Sequence, residues 1–224
     1  MKTFSSLSFL LLLCAFGFDK PVYKQDFEKK DVFARFRFTQ PEKWILTEGK
    51  SGKALEFTGI SDYQPPFRSP HTIGLISDMT FGNFVLEADL LQTGKEYGHR
   101  DMCVIFGFQD PSHFYYSHIA TKMDDNAHQI MVVNNAPRTK ISSFTTQGVE
   151  WGDKVWHKVR VERNIESGSI KIFFDGTLIE EATDKTFGIG YIGFGSFDDS
   201  GKIDNVRIWG DAEKSESTAF RFKD

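Results

Sequence analysis

The sequence predicts an all-β fold, two antiparallel sheets packed face to face as a sandwich, and three observations carry that prediction. Apolar and polar residues alternate at period two in stretch after stretch, whereas beyond the first 17 residues no apolar stripe persists at helical spacing. Gly, Asp, Asn, Ser and Pro gather between those stretches, the punctuation of short strands joined by tight turns. Phe is abundant, at 23 of 224 residues, which suits many short strands closing on one core.

The opening stretch "MKTFSSLSFLLLLCAFG", residues 1–17, sets Lys2 before an apolar run that ends in the small residues Ala15 and Gly17, the pattern of a cleaved export signal. The run is too short to span a membrane. The mature chain is therefore expected to lack a transmembrane segment and to be exported, whether periplasmic, secreted or at the cell surface. Residues 18–210 are expected to form one domain and 211–224 a polar tail. Beyond the signal only Cys103 remains, so no disulfide can form within the mature chain and a packed core must hold it together. A formal net charge of −4 without a basic run argues against nucleic acid as a partner; a monomer is expected.

Strands are predicted at 54–57 (ALEF) and 83–91 (NFVLEADLL), where acids alternate with aliphatic side chains. Those at 101–108 (DMCVIFGF), 113–120 (HFYYSHIA) and 128–133 (HQIMVV) are aromatic and aliphatic runs too short for helices. At 155–163 (VWHKVRVER) Val155, His157, Val159 and Val161 stand at every second position. The pair 169–174 (SIKIFF) and 177–182 (TLIEEA) is split by Asp175-Gly176, a hairpin signal because Gly tolerates the positive φ of a tight turn. The last two are 190–197 (GYIGFGSF) and 202–209 (KIDNVRIW).

Together, "WHKVRVERNIESGSIKIFFDGTLI" and "IGYIGFGSFDDSGKIDNVRIWG" resemble the late half of laminin-G-like and other concanavalin A-like jelly rolls, in which a Trp-His strand precedes a hairpin turning at Asp-Gly. "FGNFVLEADLLQTG" and "VIFGFQDPSHFYY" are also in pattern. The resemblance implies a jelly roll of two curved antiparallel sheets whose concave face commonly handles glycans, as in lectin and glucanase-type domains. It also implies a structural calcium between the first and last strands. Asp204, predicted to face inward with Val206 and Ile208, and Asp26 or Glu28 would be its ligands. The alternative for Asp204 is a carboxylate satisfied by backbone N–H groups.

Four of the six histidines lie between positions 99 and 128, among Arg, Asp, Asn and Tyr. As a strand, 113–120 places Phe114, Tyr116, His118 and Ala120 on one face, with Tyr116 and His118 some 6–7 Å apart. His118 is expected to meet either His128 or Gln129 of the next strand, with His99, Arg100 and Asp101 at one end and Asn134 and Arg138 beyond. Such a groove suits a glycan or polysaccharide, since aromatic rings stack on sugar faces while Arg, Asn and Asp give directional hydrogen bonds. His157 and Cys103 are expected to be core residues.

The same residues suit an enzyme. A polysaccharide lyase would use Arg100, Asn134 or Gln129 against the uronate carboxylate, with His118, His128 and Tyr116 as acid and base. The Gln-x-His strand motif of jelly-roll lyases is absent, the order here being His128-Gln129. Glu87-x-Asp89 resembles the start of the glucanase Glu-x-Asp-x-x-Glu signature, but its last position is Gln92, which cannot donate a proton. A transition-metal set of His99, Asp101, His118 and His128 and a protein-binding envelope role complete the alternatives.

Overall fold

The computed structural model describes residues 20–29, 31–215 and 222. The expected export signal and tail residues 216–221, 223 and 224 lie outside them. The strands are β1 (Tyr23–Gln25), β2 (Phe36–Phe38), β3 (Trp44–Glu48), β4 (Lys53–Phe57), β5 (Thr72–Ile76), β6 (Met79–Gln92), β7 (Asp101–Asp110) and β8 (His113–Ala120). They continue with β9 (Gln129–Asn134), β10 (Thr139–Lys140), β11 (Ser142–Thr145), β12 (His157–Arg163), β13 (Ser169–Phe174), β14 (Thr177–Thr183), β15 (Tyr191–Ser196) and β16 (Gly201–Lys214). One helical turn, α1 (Val32–Arg35), and a 3-10 turn at Pro41–Lys43 complete the elements.

The strands form the expected jelly-roll sandwich. Its first sheet runs β11-β14-β13-β12-β6-β16-β4-β3, with β1 also on β16, and its second runs β10-β9-β8-β7-β15-β5-β2. All pairings are antiparallel, including the hairpin at Asp175-Gly176, where both residues adopt positive φ (48° and 81°). Each predicted strand has a counterpart; β5 gave no alternation because all five of its residues are buried. The last strand runs past the expected boundary at 210, its Glu213 and Lys214 pairing with Thr80 and Met79.

Between the sheets lies the main core. Leu86, Ala88 and Leu90 of β6, Val159 and Val161 of β12, and Ile203, Val206 and Ile208 of β16 meet Val104 and Phe106 of β7 and Tyr115 and Ile119 of β8. Burial of that apolar area is the main stabilising term. His157 belongs to this layer as expected, bonded to Asp175 at 2.7 Å and to the Trp151 carbonyl at 3.0 Å.

A second apolar layer covers the outer face of the second sheet. Ile105, Phe108, Phe114, Tyr116, Met131 and Val133 are buried there, with Phe67, Phe197 and Phe222 packed over the layer. Cys103 is buried in the same layer, as a core residue should be.

The expectation that Asp204 shares a face with Val206 and Ile208 is overturned by a β-bulge. Asp204 pairs with Asp89 and Arg207 with Glu87, so Asn205 and Val206 together oppose Ala88. Asn205 has φ 50°, a left-handed conformation that Asn tolerates better than most residues. The extra residue sends Val206 into the core and leaves Asp204 on the outer face, buried beneath the β3–β4 turn.

Candidate functional site

On β8, alternation places Tyr116 and His118 side by side on the outer face of the second sheet, their rings 6.3 Å apart. The cross-strand partner of His118 is Gln129, which therefore joins it on that face. His128, at φ 56°, turns instead into the layer between the sheets, where its ring is 2.9 Å from the Thr146 hydroxyl. Burial, then the His118 charge, lower its pKa to about 4 and keep it neutral.

His118 is fixed at both nitrogens. Nδ1 donates to the Asn126 carbonyl at 2.8 Å and Nε2 to the Asp101 carboxylate at 2.7 Å, so the ring carries both protons and forms a buried ion pair. Burial by itself would raise the Asp101 carboxyl. The His118 charge, with hydrogen bonds from His118, Ser196 and Cys103, outweighs it and holds the group below the ordinary carboxylate range. Phe197 stacks on His118 at 5.0 Å, and Arg138 lies 4.6 Å over the Phe197 ring while donating to the Tyr116 hydroxyl at 2.9 Å. Burial pushes the Tyr116 phenol well above its usual range, only partly offset by Arg138.

Other predicted members go elsewhere. Arg100 is a buried clamp, donating to Gln92 Oε1 and O, Glu96 and the Gly152 carbonyl, and has no face left for a uronate. His99 pairs with Asp124 at 2.6 Å on the surface. Asn134 is exposed at the far end of β9, opposite His113. The lyase assignment of His118, Tyr116, His128 and Arg100 thus fails on geometry, because both nitrogens of His118 are engaged and the other groups do not converge on a common space. The glucanase-like triplet fails too: Glu87 and Asp89 face outward from the first sheet, whereas Gln92 lies on the core side.

The predicted metal sets are also separated. Asp204 accepts N–H from Lys50 at 3.0 Å and Asn205 at 2.6 Å, while Asp26 turns to Lys24 at 3.8 Å. Asp89 is the cross-strand neighbour of Asp204, and no contact joins Asp26 to Asp204 among the described residues. Of the four expected transition-metal ligands, only Asp101 and His118 meet.

A feature the sequence reading missed adjoins the Asp101–His118 pair. The β6–β7 loop and the β15–β16 loop enclose an open pocket of about 470 Å³ lined by Lys95, Glu96, Tyr97, Asp198, Asp199 and Ser200, among others. Tyr97 is 41% exposed, and its hydroxyl reaches Asp198 at 3.2 Å and Asp199 at 3.0 Å. Asp199 also accepts the Asp101 N–H at 2.8 Å, tying the pocket floor to the buried pair. The signal available was "SFDDSG", an aromatic residue followed by two carboxylates in a turn. Nothing local in the sequence brings it to Tyr97, a hundred residues earlier.

No family model matches the chain, and no curated protein matches it. Among solved structures, the family 66 carbohydrate-binding module from Bacillus subtilis is similar over 79% of this chain and 96% of its own, at 17% identity and a TM-score of 0.55. A putative glycosyl hydrolase from Parabacteroides distasonis is similar over 83% and 98%, at 13% identity and 0.55. A protein of unknown function with a galectin-like fold, also from Bacillus subtilis, is similar over 85% and 96%, at 10% identity and 0.54. At such identities the likeness is one of fold. The chain is a jelly-roll sandwich of the lectin and glucanase type.

Proposed function

We propose that this chain is an exported, monomeric glycan-binding protein of the laminin-G-like kind, and that the sugar sits in the pocket between the β6–β7 and β15–β16 loops. The observation that carries this reading is the exposed Tyr97 ring beside Asp198 and Asp199 in an open polar pocket. An aromatic wall suits the apolar face of a sugar, and adjacent carboxylates suit neighbouring hydroxyls. The Asp101–His118 pair acts beneath the pocket as a support, holding Asp199 through the Asp101 backbone. Phe197 and Arg138 continue the site onto the second sheet. Resemblance of fold to a carbohydrate-binding module supports the class of ligand.

Hydrolysis is the second reading, favoured by one observation. Single oxygens of Asp101, Asp198 and Asp199 lie within 4.8 Å of one another, and Asp199 is pushed up to about 7 by burial and then by the Asp101 charge. A carboxyl that keeps its proton near neutrality, beside a second carboxylate, is the pairing glycosidases use.

Calorimetric titration with neutral and uronate-containing oligosaccharides, paired with mass spectrometry of any products, tests both. Binding without products, weakened about tenfold or more by Tyr97→Ala, supports recognition. Hydrolytic fragments that vanish in Asp199→Asn would move the reading to a glycosidase. Saccharide binding that ignores Tyr97 and Asp199 would remove the pocket from the function.

A further inference from the structure

The outer face of the first sheet carries a separate cluster of cations interleaved with carboxylates. Strand register aligns Lys24, Arg207, Glu87 and Arg160 in one lateral row across β1, β16, β6 and β12. In the next row Asp89 stands opposite Lys158, and Lys50 reaches over from the β3–β4 turn. Between them lies a cleft of about 270 Å³, lined by Lys50, Lys158, Arg207, Glu87 and Asp89 with Ser51 and Asn205.

The carboxylates of this cleft are already engaged. Asp89 holds Lys50 at 3.1 Å, Lys158 at 3.5 Å and the Asn205 amide at 3.0 Å, and Glu87 faces Arg160 at 3.4 Å. Arg207 makes no hydrogen bond or ion pair among the described residues, although its cross-strand partners are Glu87 on one side and Lys24 on the other. Of the two facing cations, Lys24 is offset by Asp26 at 3.8 Å, and Arg207 is the one left without a polar contact among the described residues. The ammonium groups of Lys50 and Lys158 each have three donors, and Asp89 takes only one from each. A guanidinium fork without a partner and two ammonium groups with donors to spare therefore surround one cleft, in a chain whose net charge is −4.

We infer that this cleft is a second binding site, for an oxyanion carried on a saccharide, with Arg207 as the bidentate anchor and Lys50 and Lys158 as supporting charges. A carboxylate of a uronic acid and a sulfate ester each present two acceptor oxygens on one atom, planar in the first and tetrahedral in the second, to an arginine fork. The inference stands apart from the pocket of Tyr97 and Asp199, because that pocket is built from loops at an end of the strands, the cleft from the outer face of the first sheet, and the two share no residue.

Calorimetric titrations of the protein with three oligosaccharides of equal length, one uronate, one sulfated and one uncharged, test it, alongside Arg207→Ala, Arg207→Lys and Lys171→Ala. Lys171 is an outward cation of the same sheet, paired with Glu181 at 3.5 Å and outside the cleft, so its loss removes equal charge. We expect a charged oligosaccharide to bind more tightly than the uncharged one, Arg207→Ala to weaken it about tenfold, and Lys171→Ala to leave it within about twofold. Arg207→Lys, which keeps the charge and loses the fork, is expected to fall between. Preference for the uronate or for the sulfated probe identifies the source of the oxyanion. Equal losses in Arg207→Ala and Lys171→Ala, or no advantage of charged over uncharged probes, would overturn the inference. Tyr97→Ala distinguishes the sites: it is expected to change binding in the pocket and to leave the Arg207-dependent part intact.

Discussion

His118 donates both of its ring protons, one to the Asp101 carboxylate at 2.7 Å and one to the Asn126 carbonyl at 2.8 Å, and so places a closed ion pair beneath the outer face of the second sheet. Removing one member strands the other's charge in a buried position. His118→Asn is expected to cost about 3–5 kcal/mol, and Asp101→Asn a similar amount, by denaturant unfolding. Asp101 is held below its ordinary range, so its contribution is present above about pH 3.9 and is lost as pH falls through the lower folded value. Acid unfolding of His118→Asn should therefore begin at higher pH than in the parent. Unchanged acid and denaturant midpoints would show that the pair contributes nothing net.

Glu180 is wholly buried between the sheets. Ser117 donates to one of its oxygens at 2.6 Å, and the other makes no hydrogen bond among the described residues. Burial pushes its carboxyl up to about 8, only partly offset by Ser117. An acid raised in this way stabilises the fold fully below the unfolded value of about 4.3, and that contribution is lost as pH rises to the folded value. His128, lowered to about 4, runs the other way, its contribution present above about 6.5 and lost on acidification; Asp199, raised to about 7, runs with Glu180. Asp199 is half titrated at pH 7 and its share fades toward pH 8, so Glu180 carries most of the slope in that window. Stability should fall between pH 7 and 8 by up to about 1.4 kcal/mol per pH unit, and Glu180→Gln should flatten that slope. Parallel pH profiles for the two proteins would exclude Glu180 as its source.

Asn205 holds the bulge of β16 at φ 50° and gives its side-chain amide to Asp89 at 3.0 Å. A β-branched residue is strained in that conformation, so Asn205→Val should cost about 1–3 kcal/mol, whereas Asn205→Gly should cost less. Thermal unfolding of the two variants checks the order. If Val is tolerated as well as Gly, the bulge is not what holds the register of this strand.

Phe222 packs on Tyr63 at 5.3 Å and on Phe108 at 6.0 Å, covering part of the apolar outer face of the second sheet. Because it is only partly buried, Phe222→Ala should cost about 1–2 kcal/mol, less than a fully buried Phe. It should also increase binding of a fluorescent apolar dye to the native state. A variant with parental stability and dye binding would show that this contact does not cover the face in solution.

Local pattern by itself determined the sandwich, the Asp175-Gly176 hairpin and the shared face of Tyr116 and His118, because strand alternation and turn chemistry act over neighbouring residues. Short strands such as β1 and β2 carried too few residues to show a period, and β5 was hidden by burial of all five of its residues. Which partner joins His118 was decided by register, which aligns Gln129 with it and leaves His128 to turn into the core. The face of Asp204 was decided by one extra residue in a bulge, an insertion that reverses every later side chain of a strand. The pocket itself exists only in three dimensions. Tyr97 and Asp199 are 102 residues apart, and it is the closure of two sheets on a common core that brings their loops together.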